Sequence, residues 1–131
     1  MERRFFKRTT ISILGTFIVM NTEDLQCEFE GILEDISEGG IKFVINAATS
    51  VASTDLIKVG DTIKFTAYDE YNLFGEMQEA ILYGTASVLR KSVSENNVIL
   101  GCSIIALSDE LEEYILNKQT SIYMKALDID V

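Results

Sequence analysis

Apolar side chains recur at every second position through much of this chain. Cys27, Phe29, Gly31 and Leu33 alternate with Glu28, Glu30 and Glu34. Ile41, Phe43 and Ile45 alternate around Lys42, and Ile63, Phe65 and Ala67 around Lys64 and Thr66. A period of two sends one set of side chains to each face of a strand, so these segments are expected as half-buried antiparallel strands. Thr10–Val19, Ile81–Leu89 and Val98–Ile104 are further strand candidates. Turn residues punctuate the pattern at Glu38-Gly39-Gly40, Val59-Gly60-Asp61 and Glu95-Asn96-Asn97. Six or so short strands joined in this way predict a mainly β fold, a small barrel or a sandwich.

The period changes near the end of the chain. Ser108 is placed to cap a helix starting at Asp109, and the acidic residues Asp109, Glu110, Glu112 and Glu113 suit the positive end of its dipole. Leu111, Tyr114, Ile115 and Ile122 share one face at helical spacing, a stripe read as packing on the β structure rather than as a groove for a partner. Two segments, Asn46–Lys58 and Asp69–Glu79, are long for strand connections and are expected to be loops or partner sites. Tyr68, just before the second, and Tyr71, Leu73 and Phe74 within it either form a contact surface or cover one end of the fold.

Composition narrows the functions available. The chain has 131 residues, 47% of them hydrophobic, enough to build a core. Ile11–Met20 is the most apolar early run and follows a basic start. It is broken by Ser12, Gly15 and Thr16 and lacks a small-residue cleavage site, so it reads as a strand rather than a signal peptide or membrane span. Histidine is absent, which excludes Ser-His-Asp and Cys-His sites and histidine metal ligands. Cys27 and Cys102 are expected as buried, reduced thiols of a cytoplasmic protein. The acidic residues number 21, but no pair stands out as catalytic, and the chain is read as a non-enzyme without a metal or cofactor. The net charge is −10, yet residues 1–10 carry Arg3, Arg4, Lys7 and Arg8 against Glu2, a net of +3, leaving −13 on the other 121. Long nucleic acid and anionic membrane should be repelled by such a body, whereas a small anion needs only one local basic cluster.

Two motifs carry candidate chemistry. Arg4-Phe5-Phe6-Lys7-Arg8 places two arginines with three residues between them, and Asp35-Ile36-Ser37-Glu38-Gly39-Gly40 places Asp, Ser and Gly at a strand-to-strand turn. Either pattern alone is common, the first as a solvated arm and the second as a hairpin turn. Together and in this order they resemble the PilZ domain family of bacterial cyclic di-GMP receptors, which pairs an RxxxR arm with a DxSxxG turn. Leu56 to Phe65, with Gly60-Asp61 before a strand, and Leu100-Gly101-Cys102 followed by Leu107-Ser108 and the acidic helix extend the resemblance over essentially the whole chain.

The resemblance implies a six-stranded antiparallel β-barrel with a C-terminal α-helix packed on it. It implies one domain: residues 1–9 as a flexible ligand-binding arm, 10–107 as the barrel and 108–126 as the helix. With only two residues before Arg3, no extra N-terminal domain is expected. The implied ligand is cyclic di-GMP, and the implied site is Arg3, Arg4, Arg8, Asp35, Ser37, Gly39 and Gly40. The chemistry is coherent: an arginine fork pairs with phosphate or a guanine edge and its plane stacks on bases. Asp35 can accept from guanine N1–H and N2–H₂, Ser37 can donate or shape the turn, and the glycines let backbone approach the ligand. In the family the chain resembles, an arginine directly before the pair accompanies two stacked ligand molecules, so the resemblance implies, through Arg3, two per chain. The expected role is a receptor that changes conformation on binding and signals through an unidentified partner protein. The alternatives are a barrel that binds a protein and no nucleotide, a single-strand nucleic-acid binder disfavoured by the acidic body, and, remotely, a carboxylate enzyme.

Overall fold

A computed structural model describes residues 9–21, 26–37, 39–50, 52–106 and 108–126. The elements follow in the order β1 (Thr9–Met20), β2 (Gln26–Ile36), β3 (Gly40–Asn46), β4 (Thr62–Leu73), β5 (Glu76–Ser94), β6 (Asn97–Ala106) and α1 (Asp109–Ala126). All six strands pair antiparallel and close into a ring in the order β1-β2-β3-β6-β5-β4. The mainly β fold expected from the alternation is therefore present, with the barrel chosen over the sandwich. Thr9, expected in the arm, is the first residue of β1 and lies opposite Ile36 of β2.

The alternation sets what is inside. In β2, Phe29, Gly31, Leu33 and Ile36 are buried while Glu28 and Glu30 face water. Phe17, Phe43 and Phe65 stack through the barrel centre, with ring centroids 4.4 Å and 5.4 Å apart. Phe43 touches both neighbours, so truncating it to Ala should cost about 3–5 kcal/mol. Room for these rings comes from glycine. A Cβ on Gly31 would stand 2.8 Å from the Phe17 ring, and one on Gly84 the same distance from Phe65. Both cysteines are free: Cys102 is buried as expected, but Cys27 is only half-buried, because it sits at the open end of β2.

The segment Asp69–Glu79 is not a loop. β4 and β5 run on past the barrel as a hairpin closed by the two-residue turn Phe74-Gly75. Both turn residues have positive φ, 53° and 83°, as the tightest hairpin turns require, and Asn72 Oδ1 accepts the Gly75 N–H at 3.0 Å. The polar run Asp69-Glu70-Tyr71-Asn72 conceals this extension, since its inner face is covered by a helix distant in sequence. There Tyr71 meets Tyr114 of α1 edge-on, with centroids 5.4 Å apart, and Tyr114 and Lys118 bind Asp69 at 2.8 Å and 3.5 Å. Leu111, Tyr114 and Ile115 are buried against the strands, whereas the side chain of Ile122 lies outside the described residues. Of the four apolar residues here, Tyr71 and Leu73 pack inward, while Tyr68 and Phe74 are exposed.

Asn46–Lys58 does connect β3 to β4, through one 3-10 turn at Thr54–Leu56. Lys91 Nζ holds it by donating to the carbonyls of Thr54 and Ile57 at 2.8 Å and 3.0 Å. Ser108 caps α1 as expected: its hydroxyl accepts from the Leu111 N–H at 3.1 Å.

Candidate functional site

The turn between β2 and β3 begins with a bulge. The pairing shifts between Glu34, opposite Lys42, and Ile36, opposite Ile41, so Asp35 is one residue too many on its strand. Its φ is 47°, a left-handed conformation costly for most L-residues and tolerated by Asp, Asn and Gly. Asp35 thus fits this position for backbone reasons as well as for its charge. Beyond it, the Ser37 N–H donates to the Gly40 carbonyl at 2.9 Å, and the Gly39 carbonyl accepts from Ile104 N–H at 3.2 Å, fastening the turn to β6.

The fold makes little demand for glycine at 39 and 40. A Cβ on Gly39 would meet nothing within 4 Å, and one on Gly40 would make only ordinary contact, 3.4 Å from the Cys102 carbonyl. Neither has the positive φ of Gly60 or Gly75. The space beside them is open, and it belongs to a cavity of about 430 Å³ lined by Asp35, Ser37, Gly39, Gly40, Lys42 and Arg90, among others.

The cavity runs across the outer face of β3, β6 and β5. Strand pairing sets Lys42 opposite Gly101 and Gly101 opposite Arg90, so two cations flank a glycine floor. Two strand spacings put their Cα atoms roughly 10 Å apart. A second bulge, at Leu89 between Val88 and Arg90, shifts the pairing of β5 at this point. The Arg90 guanidinium lies so close over Gly101 that a Cβ there would be 2.9 Å from Nη2 and 3.1 Å from Nε. Lys42 also reaches Glu34 at 3.6 Å across a half-exposed pair. The Arg90 side chain is exposed, and its guanidinium carries five N–H donors. The ionisable groups lining the cavity besides Cys102 are Asp35, Lys42 and Arg90, with Glu34 ion-paired to Lys42 beside them. Burial pushes the Cys102 thiol up to about 12, so it is a protonated wall and not a nucleophile at neutral pH.

Asp35, Ser37, Gly39 and Gly40 are therefore gathered in one place. Arg3, Arg4 and Arg8 lie outside the described residues, but the chain enters β1 at Thr9, opposite Ile36 and so next to Asp35. The sequence alone does not single out Arg90 and Lys42 as site residues. They are distant in sequence and meet only through the register of three strands. The one local hint is Gly101, a glycine inside a strand, which often marks a close approach.

The model of the PilZ domain family matches residues 2–118. Among solved structures, the chain is similar to the Bacillus subtilis Inhibitor of motility (MotI/DgrA), at 17% identity and a TM-score of 0.60 over 97% of this chain and 53% of that one. The chain thus spans about half the length of that protein. It is also similar to the PilZ domain with c-di-GMP of YcgR from Escherichia coli, at 14% identity and a TM-score of 0.52 over 95% of this chain and 96% of that one. No curated protein matches. Among the described residues, no helix is long and apolar enough to cross a membrane.

Proposed function

The chain belongs to the PilZ domain family, and from that membership we propose that it is a cytoplasmic receptor for cyclic di-GMP that signals through a partner protein. The observation that carries this reading is the cavity. It joins the Asp35–Gly40 turn, with two glycines the fold itself hardly requires, to the cations Lys42 and Arg90. A cyclic dinucleotide offers two phosphates and two guanine edges. Asp35 would accept from guanine N1–H and N2–H₂, Ser37 would donate its hydroxyl, and Arg90 would pair with phosphate or lie against a purine face. Arg4 and Arg8, joined to the barrel beside Asp35, would close over the ligand and add the remaining charge. The domain in this scheme comprises the arm, the barrel and α1, and it carries no catalytic step.

Titration calorimetry tests the reading. Cyclic di-GMP should give saturable heat where GMP, GTP and short single-stranded DNA do not. Two ligands per chain are expected, with Arg3→Leu moving the ratio toward one. Silence with cyclic di-GMP would leave a barrel that binds only proteins, and tighter binding of the DNA would make it a nucleic-acid module.

A further inference from the structure

Across the ring from the cavity, the outer face of β1, β4 and the first half of β5 carries a different surface. Outward positions on a water-facing strand are normally polar. Here Leu14, Tyr68, Ile81 and Tyr83 point outward, between 48% and 65% exposed. Tyr68 stands opposite Ile81, and Thr66 opposite Tyr83, so the apolar groups form one patch. Two depressions meet in it and share Tyr68 and Ile81. One, of about 340 Å³, reaches Leu14 and Glu30, and the other, of about 450 Å³, lies between the hairpin and α1.

The rim is acidic. Glu79, Glu110 and Glu113 line the second depression, and neither lining includes a lysine or arginine. Glu70 and Glu79 stand directly opposite each other on β4 and β5, a like-charge pair that costs stability in the free protein. The Tyr68 hydroxyl donates to Glu79 at 2.9 Å. Its phenol is pushed up to about 12, chiefly by that hydrogen bond, with Glu70 adding to it.

We infer that this face is the docking surface for a partner protein that presents a basic, amphipathic segment. Its apolar side chains would cover Tyr68 and Ile81, and its lysines or arginines would meet Glu79, Glu110 and Glu113. Charge selects this occupant. The body of a second copy, net −13 outside residues 1–10, would bring acid against acid, and an anionic membrane or nucleic acid would be repelled. The inference rests on the reading of the chain as a receptor acting through a partner, but not on which nucleotide it binds.

The test uses the full chain and two synthetic peptides, an amphipathic helix of Leu and Lys and the same helix with Glu in place of Lys. The Leu/Lys peptide should saturably shift the backbone amide resonances of Leu14, Tyr68, Ile81 and Tyr83. Its affinity should fall with salt. Ile81→Ser, which removes an anchor from the middle of the patch, should weaken it about tenfold. Glu113→Lys, on the exposed side of α1, should weaken it as well and guards against a fold defect in the first variant. Cyclic di-GMP titration of both variants should match the wild type. A wild-type chain blind to cyclic di-GMP that still binds the peptide here would sink the nucleotide reading alone. Equal binding of the Glu peptide, shifts scattered over the barrel, or unchanged affinity in both variants would overturn the docking surface. A gain in peptide affinity on Phe5→Ser/Phe6→Ser substitution would also overturn it, by giving the groove to the chain's own start.

Discussion

Two outer faces of one barrel have been built in opposite ways. On β3, β6 and β5, side chains have been removed: Gly39, Gly40 and Gly101 leave a hollow, with Lys42 and Arg90 at its sides. On β1, β4 and β5, bulky side chains have been added: Leu14, Tyr68, Ile81 and Tyr83 fill the surface within an acidic rim. Neither set supports the core, which belongs to the inward positions. Each breaks the rule of polar-out alternation in its own direction. The hollow also leaves the Arg90 side chain exposed in a molecule of net charge −10.

The largest effect that would break this contrast concerns the arm. Arg4→Ala and Arg8→Ala should each weaken cyclic di-GMP on the order of 10- to 100-fold, as expected for losing charge-assisted hydrogen bonds. Melting temperatures should stay near wild type. Normal binding by either variant would leave the hollow to work without the arm.

Next comes Asp35, where backbone and ligand roles can be separated. Asp35→Asn keeps a residue that tolerates the φ of 47° but removes the charge, so it should lose affinity at nearly unchanged stability. Asp35→Ala should lose affinity and also about 1–2 kcal/mol of stability, because alanine resists the left-handed bulge. Calorimetry and denaturant melts on both variants separate the two effects. Equal stability of the pair would remove the bulge argument, and full affinity of the Asn variant would remove the carboxylate from the site.

Arg90 should matter less than the arm but more than any rim residue. Arg90→Ala is expected to weaken the dinucleotide about tenfold, the loss of one charged donor, with no change in melting because the side chain is exposed. Gly101→Ala should act in the same direction by a few-fold, since its Cβ would displace the guanidinium it meets at 2.9 Å. Wild-type affinity in both would confine the site to the turn and the arm.

Much of this was legible in the sequence wherever physics acts locally. Alternation gave the strands, Ser108 gave the helix start, and Gly39-Gly40 gave the turn. The signal failed where partners are remote. Tyr71 looks like part of a polar loop until α1, some 40 positions later, supplies Tyr114 to cover it. Arg90 looks like an ordinary surface cation until register sets it across from Gly101 and a bulge shifts β5 beside it. Asp35 lay between these cases. Its place at a turn was visible, but not the register shift that makes a left-handed residue necessary.

The smallest expected effect sharpens the other side of the contrast. Glu70 and Glu79 face each other across β4 and β5 with both side chains in water. Like charges in that position repel, and cross-strand pairs of this kind are worth a few tenths of a kcal/mol up to about 1 kcal/mol. Glu79→Gln removes the repulsion and still leaves an oxygen to accept the Tyr68 hydroxyl, now bonded at 2.9 Å. The variant should therefore be slightly more stable than the wild type at low ionic strength, by a few tenths of a kcal/mol. The gain should fade in 1 M salt, where the screening length is about 3 Å and the wild-type pair no longer feels itself. Paired melts at the two salt concentrations measure it. A loss of stability at both would mean that the Glu79 carboxylate supports the hairpin. The acidic rim would then be a structural feature of the barrel, and the free energy stored there would not be available to a basic partner.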